Sequence, residues 1–386
     1  MGNFELKKFY ERKRDIFSNP DVFDINYYPE KPIEREEILV ILEKVADFMK
    51  LKIVGNIFIT GFHGSGKTLY AKNLFKEIKE LSNTEKLNFG VSYVNCRDRT
   101  NSDAVVDKIM KDISNNNIPK NKELFKDKLT KDLILFLDEV DELQDPNNLL
   151  YYFSRFREIE EKNQYKVFLI MISNKSEWEE SLDQATRSSL ALTRIIFKPY
   201  TKGQIKDILR QRVKLGIQDP AIITDEFLSI IAKKTLENNS DLRIGLRALF
   251  FLARDLEKEG KSILPERRIS EIFHTALIDI QRERVEHLDI SPFLALVGIM
   301  RAESIKVKDI FEIEYRLACR EMRISPLGYT MFNRHLMVLE EKGLIHIGKV
   351  QEGKIVFKTV KLIVDKKMID IEYQKRKMIV VKEDNL

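Results

Sequence analysis

The chain has 386 residues, of which 43% are hydrophobic and 33% charged, with a net charge of +5. This length suits two to four globular domains with real cores, and no apolar run is long enough to span a membrane, so we expect no membrane partner. The two cysteines, Cys96 and Cys319, lie far apart and outside any metal-binding pattern, which argues against disulfide scaffolds and zinc modules. The N-terminus has no apolar signal core, and we expect a reducing cytoplasm.

Residues 1–30 mix basic, aromatic and proline residues without a sustained period, and we interpret them as an arm. A helix follows Pro32. Its apolar positions at helical spacing are Ile38, Leu42, Val45 and Phe48–Met49. Arg35 stands at its start, as either a solvated first-turn residue or a contact to a base or phosphate.

Residues 61–68 match G-x-x-x-x-G-K-[ST] between an apolar run, Ile57–Thr60, and a helix-favouring one, Leu69–Phe75. The residues of this loop are Gly61, Phe62, His63, Gly64, Ser65, Gly66, Lys67 and Thr68. Small residues let backbone N–H groups surround a triphosphate at a helix N-terminus. We expect Lys67 to reach the β- and γ-phosphates and Thr68 to hold Mg²⁺. The alternative is a glycine-rich turn.

Phe89–Cys96 has the pattern of a buried strand. Residues 97–131 are helical but interrupted by Pro119, and they look like an insertion. The next strand, Leu133–Leu137, is followed by Asp138 and Glu139. Beside a phosphate loop, we expect Asp138 to hold the water shell of Mg²⁺. We expect Glu139 to orient and activate the water that attacks the phosphate.

The apolar strand Val167–Ile172 ends in Ser173 and Asn174. An amide beside the phosphate-loop strand could bond the γ-phosphate or the attacking water, or simply form a turn. Arg187 and Arg194 follow, each facing either a neighbouring subunit's nucleotide or a surface carboxylate.

From Thr201 the pattern is helical only. The predicted helices are Gln204–Leu215, Asp225–Thr235, Leu242–Glu257 and Pro265–Gln281. Arg243 lies in a first turn, where a cation opposes the helix dipole, and this favours a phosphate contact.

Residues 286–386 predict three helices and a β-hairpin, which together make a winged helix. The helices are Phe293–Arg301, Lys308–Arg323 and Thr330–Lys342, and the strands are Leu344–Lys349 and Lys354–Lys358. Phe332, Leu336 and Leu339 form a core stripe on the third helix, which leaves Asn333 and Arg334 on another face, where we expect them to contact base edges or phosphates of DNA. Residues 342–382 contain 11 basic and 4 acidic residues, so we expect DNA contacts at Lys349, Lys354 and Lys358.

These motifs resemble the AAA+ initiator family of origin-recognition and cell-division-cycle replication proteins, in its compact archaeal form. The marks of the resemblance are Pro32–Glu36, Tyr93–Arg97, Asp138–Asp141, Ser188–Leu190, Asp241–Arg243 and the winged helix. The resemblance implies an α/β P-loop AAA+ domain, with a RecA-like parallel sheet and a helical lid, followed by a winged-helix DNA-binding domain. The implied bounds are 1–30 for the arm, 31–200 for the α/β domain, 201–285 for the lid and 286–386 for the winged helix.

The resemblance also implies roles for particular residues. Gly61–Thr68 would be Walker A, Asp138–Glu139 Walker B, Asn174 sensor 1 and Arg243 sensor 2, with ATP or ADP and Mg²⁺ as cofactors. Arg35 is included among the nucleotide contacts. The insertion within residues 97–131 would touch DNA.

Three positions depart from the family pattern. Glu34 stands where the family usually has His, Ser240 stands where it usually has Gly, and Asp183 is not followed by the usual Pro and Arg. Arg187 is therefore only a candidate arginine finger.

The implied function is a DNA-binding switch: the ATP-loaded protein recognises double-stranded origin DNA, slow hydrolysis resets it, and it recruits the replicative minichromosome maintenance helicase. Paralogous initiator subunits are expected partners, and the expected location is the cytoplasm, at the nucleoid. Two alternatives stay open, a signalling ATPase whose winged helix regulates transcription and a motor or loader that turns ATP over quickly.

Overall fold

The computed structural model describes residues 16–25, 27–62, 64–85, 87–113, 129, 131–156, 165–259, 264–353 and 355–383. The predictions for the arm before residue 16, for His63, for residues 114–128 of the insertion and for Lys354 lie outside these residues. The chain divides into two compact units, residues 1–242 and 243–386. This boundary falls inside the predicted lid, and the predicted domain bounds stay a prediction.

A five-stranded parallel sheet forms the centre of the first unit, with strand order β2-β3-β4-β1-β5. The strands are β1 (Ile57–Gly61), β2 (Phe89–Asn95), β3 (Asp132–Asp138), β4 (Val167–Ile172) and β5 (Thr193–Phe197). The predicted neighbourhood of β1 and β4 is confirmed, since Ile57 pairs with Ile170. Because the strands are parallel, the phosphate loop, the Asp138–Glu139 pair and Asn174 all follow strand ends at one edge of the sheet.

Both faces of the sheet are covered by helices. The helices of this unit, of which α6 and α7 follow the last strand, are α1 (Glu36–Leu51), α2 (Lys67–Thr84), α3 (Ser102–Ile113), α4 (Pro146–Ser154), α5 (Gln184–Leu190), α6 (Lys202–Gly216) and α7 (Asp225–Glu237). On β3, Leu133, Leu135 and Leu137 pack with α3 and α4, whereas Ile134 and Phe136 pack with α1 and α2. Alternate residues of a strand point to opposite faces, so burial on both faces explains why β3 is an unbroken apolar run.

The prediction of which apolar residues of α1 face the core is partly wrong. Leu42 is 37% exposed, whereas Ile41, Val45 and Phe48 are buried against the sheet. Residues 38–42 are all apolar, so this helix has more than one apolar side and the sequence cannot indicate which side packs on the sheet.

The second unit contains the predicted winged helix. Its elements are α8 (Leu242–Glu259), α9 (Glu266–Glu286), α10 (Ile290–Arg301), α11 (Val307–Ile310), a π-helical turn (Phe311–Tyr315), α12 (Arg316–Glu321), α13 (Tyr329–Glu341), β6 (Ile345–Glu352), β7 (Ile355–Leu362) and α14 (Lys366–Glu383). Strands β6 and β7 form the antiparallel wing. The core stripe predicted on α13 is confirmed, since Phe332, Leu336 and Leu339 are fully buried.

Two features of this unit differ from the sequence prediction. The helix predicted over 308–323 is interrupted by the π-helical turn, where the Tyr315 backbone approaches so closely that a Cβ at Gly298 would lie 3.0 Å from it. Helix α14 has no counterpart among the elements predicted from the sequence. Its apolar residues do not mark one face, because Ile369 and Tyr373 are buried while Ile371 and Met378 are exposed.

The described part of the predicted arm packs against α6. We call residues 16–25 and 27–35 the N-terminal strap. The backbone N–H groups of Ser18 and Asn19 donate to the Gly216 carbonyl, and Val22 and Phe23 are buried. Within the described residues, no helix of either unit is long and apolar enough to cross a membrane.

Gly216 tests the contact between the strap and α6. A Cβ at this position would overlap Val22 and lie 2.9 Å from the Asn19 carbonyl oxygen, so we expect Gly216→Ala to destabilise the protein by about 1–3 kcal/mol through overpacking. Gly203→Ala on the same helix is the control, because only the Thr201 hydroxyl lies near, at 3.9 Å. Urea denaturation measures the free energy of unfolding of both variants and the parent. If Gly216→Ala is as stable as the parent, the strap does not pack against Gly216.

A charged cluster joins α10, α12 and α14. Arg301 donates to Glu321 at 2.9 Å, and the Tyr373 hydroxyl and Lys377 donate to the same carboxylate at 2.7 and 3.2 Å. The Arg301 guanidinium, with help from Tyr373 and Lys377, lowers the pKa of Glu321 to about 2.

This lowered pKa predicts a pH dependence of stability. The unfolded carboxyl titrates near its ordinary pKa of about 4.5, so the stabilisation is fully present above that pH and is lost as the pH falls towards about 2. Glu321→Gln should cost about 1–2 kcal/mol at pH 7 and less at pH 3. Glu303→Gln, at an exposed site of the same unit, is the control. Urea titrations at several pH values measure the free energy of unfolding of each protein. A difference between Glu321→Gln and the parent that does not change with pH would rule the effect out.

Candidate nucleotide-binding site

The phosphate loop connects β1 to α2. Gly64 and Gly66 both have left-handed φ angles, 75° and 89°, and a Cβ at Gly66 would overlap the Tyr200 hydroxyl. Lys67 is buried, and its Nζ donates to the carbonyls of Gly61 and Phe62 at 2.7 and 2.9 Å. Left-handed glycines and a buried cation are features that binding of phosphate oxygens requires of such a loop.

The residues predicted for the metal are brought together. Thr68 Oγ1 donates to Asp138 Oδ1 at 3.3 Å, and the Tyr93 hydroxyl donates to Asp138 Oδ2 at 2.6 Å. Asp138 is only 2% exposed. A hydroxyl and a carboxylate at this spacing are the oxygen donors that Mg²⁺ takes beside a nucleotide.

Glu139 has properties expected of a general base. Its backbone is left-handed, with φ 53°, which is costly for a residue with a Cβ and is typical of functional sites. Burial and the neighbouring Asp138 raise the pKa of its carboxyl above the ordinary value. Its Oε2 is buried without a hydrogen-bond partner among the described residues. A buried acceptor of this kind is suited to receive a water proton.

Asn174 follows β4 and is half-buried at the same edge of the sheet. Its neighbour Ser173 donates to Asp141 at 2.7 Å, and Lys175 pairs with the other oxygen of Asp141 at 2.9 Å. These bonds fix the turn that carries Asn174. Its contact with a phosphate or a water stays a prediction.

Arg35 holds the phosphate loop through a hydrogen bond to its backbone. Its Nη1 donates to the Ser65 carbonyl at 2.7 Å and its Nη2 to the Lys198 carbonyl at 2.6 Å, and it also pairs with Glu37. The guanidinium lies 4.7 Å from the centre of the Tyr200 ring. Since its side chain is 2% exposed and every guanidinium nitrogen has a protein acceptor, the observed role is to position the loop. Its predicted contact with nucleotide stays a prediction.

The other three arginines predicted to contact a nucleotide differ from Arg35 in their positions and exposure. Arg194 pairs with Glu179, so it faces a carboxylate of its own chain, which was one of the two alternatives. Arg187 is exposed on α5, after the Asp183 side chain that caps the helix. Arg243 is half-buried in the first turn of α8. The roles of Arg187 as arginine finger and Arg243 as sensor 2 stay predictions.

The predicted DNA contacts lie on the winged helix. Lys358 donates to the Asn333 side chain at 2.9 Å, and Asn333 in turn donates to the Tyr329 carbonyl, so these two side chains are bonded within the protein. Arg334 is exposed on α13, and Lys349 is exposed and pairs across the wing with Lys358. All four remain predicted DNA contacts.

A family profile described as "AAA domain" matches residues 54–179, which include the phosphate loop and Asp138–Glu139. The ORC1-type DNA replication protein of Thermococcus kodakarensis is 26% identical over 89% of this chain and 87% of its own length. The chain is thus similar to archaeal ORC1-type DNA replication proteins over most of its length. Its first unit has an AAA+ fold, and a winged helix follows.

Solved structures agree on this fold. The Aeropyrum pernix ORC1 protein, solved in complex with DNA, has a TM-score of 0.72 at 21% identity and covers 94% of this chain and 97% of its own. The A. pernix ORC2 protein, solved as ADPNP–ADP complexes, has a TM-score of 0.64 at 19% identity, with coverage of 95% and 100%.

The site also contains residues whose roles the sequence did not indicate. Tyr93 appears in the sequence only as a strand residue, yet it holds Asp138, and burial raises its pKa so that it stays a donor. Tyr200 fills the space beside Gly66. Neither role has a local signal, because each depends on residues distant in sequence.

Ser240 explains one departure from the family pattern. Its φ is 55°, the left-handed region that glycine adopts without strain. The backbone therefore has the conformation that the usual glycine would permit, although serine occupies the position.

We expect Glu139→Gln to bind ATP with the affinity of the parent while slowing hydrolysis by about 10²–10⁴-fold, because an amide cannot accept the water proton. In the parent, single-turnover hydrolysis should rise with pH through a pKa above 4.5, since the base must be ionised. Glu142→Gln, at an exposed site nearby, controls for the lost charge. If Glu139→Gln hydrolyses at the parent rate, Glu139 is not the base.

Proposed function

We propose that this chain is an ATP-dependent DNA-binding initiator of replication that recognises origin DNA and helps to recruit the replicative helicase. Hydrolysis would be slow and would reset the protein. The observation that carries the proposal is the extent of the similarity to ORC1-type DNA replication proteins, which includes the AAA domain and the residues after it.

The nucleotide site supports the switch. The residues fit Mg²⁺-ATP: a loop with left-handed glycines at positions 64 and 66, the Thr68–Asp138 pair for the metal, and an oxygen of Glu139 that is buried without a hydrogen-bond partner among the described residues. Mg²⁺ would neutralise charge on the phosphates. The chain itself would orient the phosphates with Lys67 and take the water proton at Glu139.

The winged helix supports DNA binding. Lys349 and Lys358 lie across the wing from each other, and Arg334 is exposed on α13, the helix that follows the turn in this motif. Lysines would contact phosphates, whereas an exposed arginine can also donate to the acceptor pair of guanine. Paralogous subunits and the minichromosome maintenance helicase are the partners that this function requires.

A nuclease footprint across candidate origins of the source genome tests the proposal. We expect protection at an origin that requires ATP and is lost in Lys67→Ala. Protection confined to promoters would instead indicate a transcription regulator, and fast hydrolysis without DNA would indicate a motor.

Charge reversal on the wing tests the DNA surface. Lys349→Glu with Lys358→Glu should weaken binding and reduce the slope of log affinity against log salt by about two units, because two phosphate contacts are lost. Lys76→Glu with Lys233→Glu makes the same change in net charge at exposed sites of the other unit. Fluorescence anisotropy over a range of salt measures both. The same slope in both double variants would place the DNA surface elsewhere.

A further inference from the structure

The first unit contains a cavity of about 590 Å³ between α1 and α2. Its floor is one face of the sheet, where Ile59, Phe136 and Ile170 line it. Leu42 of α1 lines a wall, which accounts for the exposure of this apolar side chain. Packed interiors leave few voids larger than a water molecule, whereas mainly apolar cavities of about 300–1,000 Å³ are typical of small-molecule sites.

The cavity is distinct from the nucleotide-binding site. Among the described residues that line it, none belongs to the phosphate loop or to α6. The strap runs between the two places, since the Tyr27 ring lies against Arg212 of α6 and Arg35 bonds the phosphate loop. The strap residues that line the cavity alternate with these: Tyr28, Glu30, Pro32 and Glu34. An occupant of the cavity would therefore contact the other side of the strap from a nucleotide.

The mouth of the cavity is acidic. Two exposed glutamates of the strap and two of α2 line it: Glu30, Glu34, Glu77 and Glu80. In the part of the chain that the structure describes, none of these four carboxylates forms an ion pair. Lys76 is the one cation among the described lining residues. Four carboxylates against one ammonium attract a cation and repel an anion.

Glu34 connects this mouth to a departure from the family pattern, which usually has histidine at its position. A carboxylate in place of an imidazole makes the mouth more acidic. The neighbouring Arg35 bonds the phosphate loop, whereas Glu34 lines the cavity. The departure therefore changes the charge of the cavity.

The cavity also has a polar group without a partner. Asn73 of α2 lines it, and the Nδ2 atom of this residue is buried without a hydrogen-bond partner among the described residues. Buried donors are usually bonded, and an unpaired one costs free energy that an acceptor on a ligand would recover.

We infer that this cavity binds a small organic ammonium ion. Its apolar body would lie on the sheet between α1 and α2, an acceptor atom would take the hydrogen bond of Asn73, and the ammonium would lie among the four glutamates. A plain hydrocarbon would leave Asn73 unpaired, and an anion would be repelled at the mouth. The inference goes beyond the proposed role in replication and does not depend on it.

Three matched phenylacetamides serve as probes. All have the same ring and the same amide carbonyl, and a three-carbon chain on the nitrogen ends in an ammonium, a methyl group or a carboxylate. NMR titrations with the full-length chain, at low salt and without nucleotide or DNA, measure the Kd of each probe. We expect the ammonium probe to bind about tenfold more tightly than the carboxylate probe, with the methyl probe between them. The difference should shrink at high salt, because exposed charges are screened.

Removal of two charges tests the acidic mouth. Glu34→Gln with Glu80→Gln should reduce the preference for the ammonium probe over the methyl probe about fivefold, because each exposed carboxylate contributes modestly. Glu36→Gln with Glu43→Gln is the control. It makes the same change in net charge at exposed positions of α1 that do not line the cavity, and it should leave the preference unchanged.

Two further variants test the place of binding. Leu74 lines the cavity, so Leu74→Trp should prevent binding of all three probes by filling the space. Asn73→Leu should weaken all three to the same extent, because they share the carbonyl. Thermal unfolding without probe checks that each variant folds. The glutamine variants are at exposed sites, so they test the inference even if Leu74→Trp does not fold.

Four results would overturn the inference. They are no saturable binding of the ammonium probe, equal Kd values for the ammonium and carboxylate probes, unchanged binding in a folded Leu74→Trp protein, and an equal loss of preference in the Glu36→Gln, Glu43→Gln control. The last would show that the net charge of the protein alone attracts the probe. A failed origin footprint would count against the initiator and leave these results unaffected.

Discussion

A buried cation holds the phosphate loop in place, and the rest of the site depends on it. Arg35 joins the loop at Ser65 to the end of β5 at Lys198 through two carbonyl bonds, and Glu37 balances its charge. Removing one partner of such a group leaves the others buried and unpaired, which costs several kcal/mol. With the loop fixed, Lys67 stands at its base and Thr68 reaches Asp138 on the neighbouring part of the sheet.

Glu139, the candidate general base, has several energetically unfavourable features that the packing around it offsets. Glu139 has a strained backbone, a raised pKa and an unpartnered oxygen, and it directly follows a strand that is buried on both faces. Strain of this kind persists only where surrounding packing determines the backbone. The apolar strand β3 therefore has two roles, since it forms the core and also holds the carboxylates at its end.

The sequence predicts the strands and the glycine loop well, because runs that are buried on both faces and loops that need left-handed residues have local signals. The sequence predicts poorly which side chains contact one another. Leu42 was assigned to the core although it is exposed, because several sides of α1 are apolar. Helix α14 was missed because its apolar residues do not follow one face. The roles of Tyr93 and Arg35 depend on atoms from distant segments, which no local pattern contains.

The close approach of Gly216 to Val22 and Asn19 has an evolutionary consequence. The two segments are remote in the sequence but share one packed space, so a side chain can be gained at position 216 only if volume is lost on the strap. Among homologues these positions should covary. A lineage that abandons the strap would be free to replace this glycine with better helix formers, and the residue at position 216 would then record whether the N-terminal segment is still held.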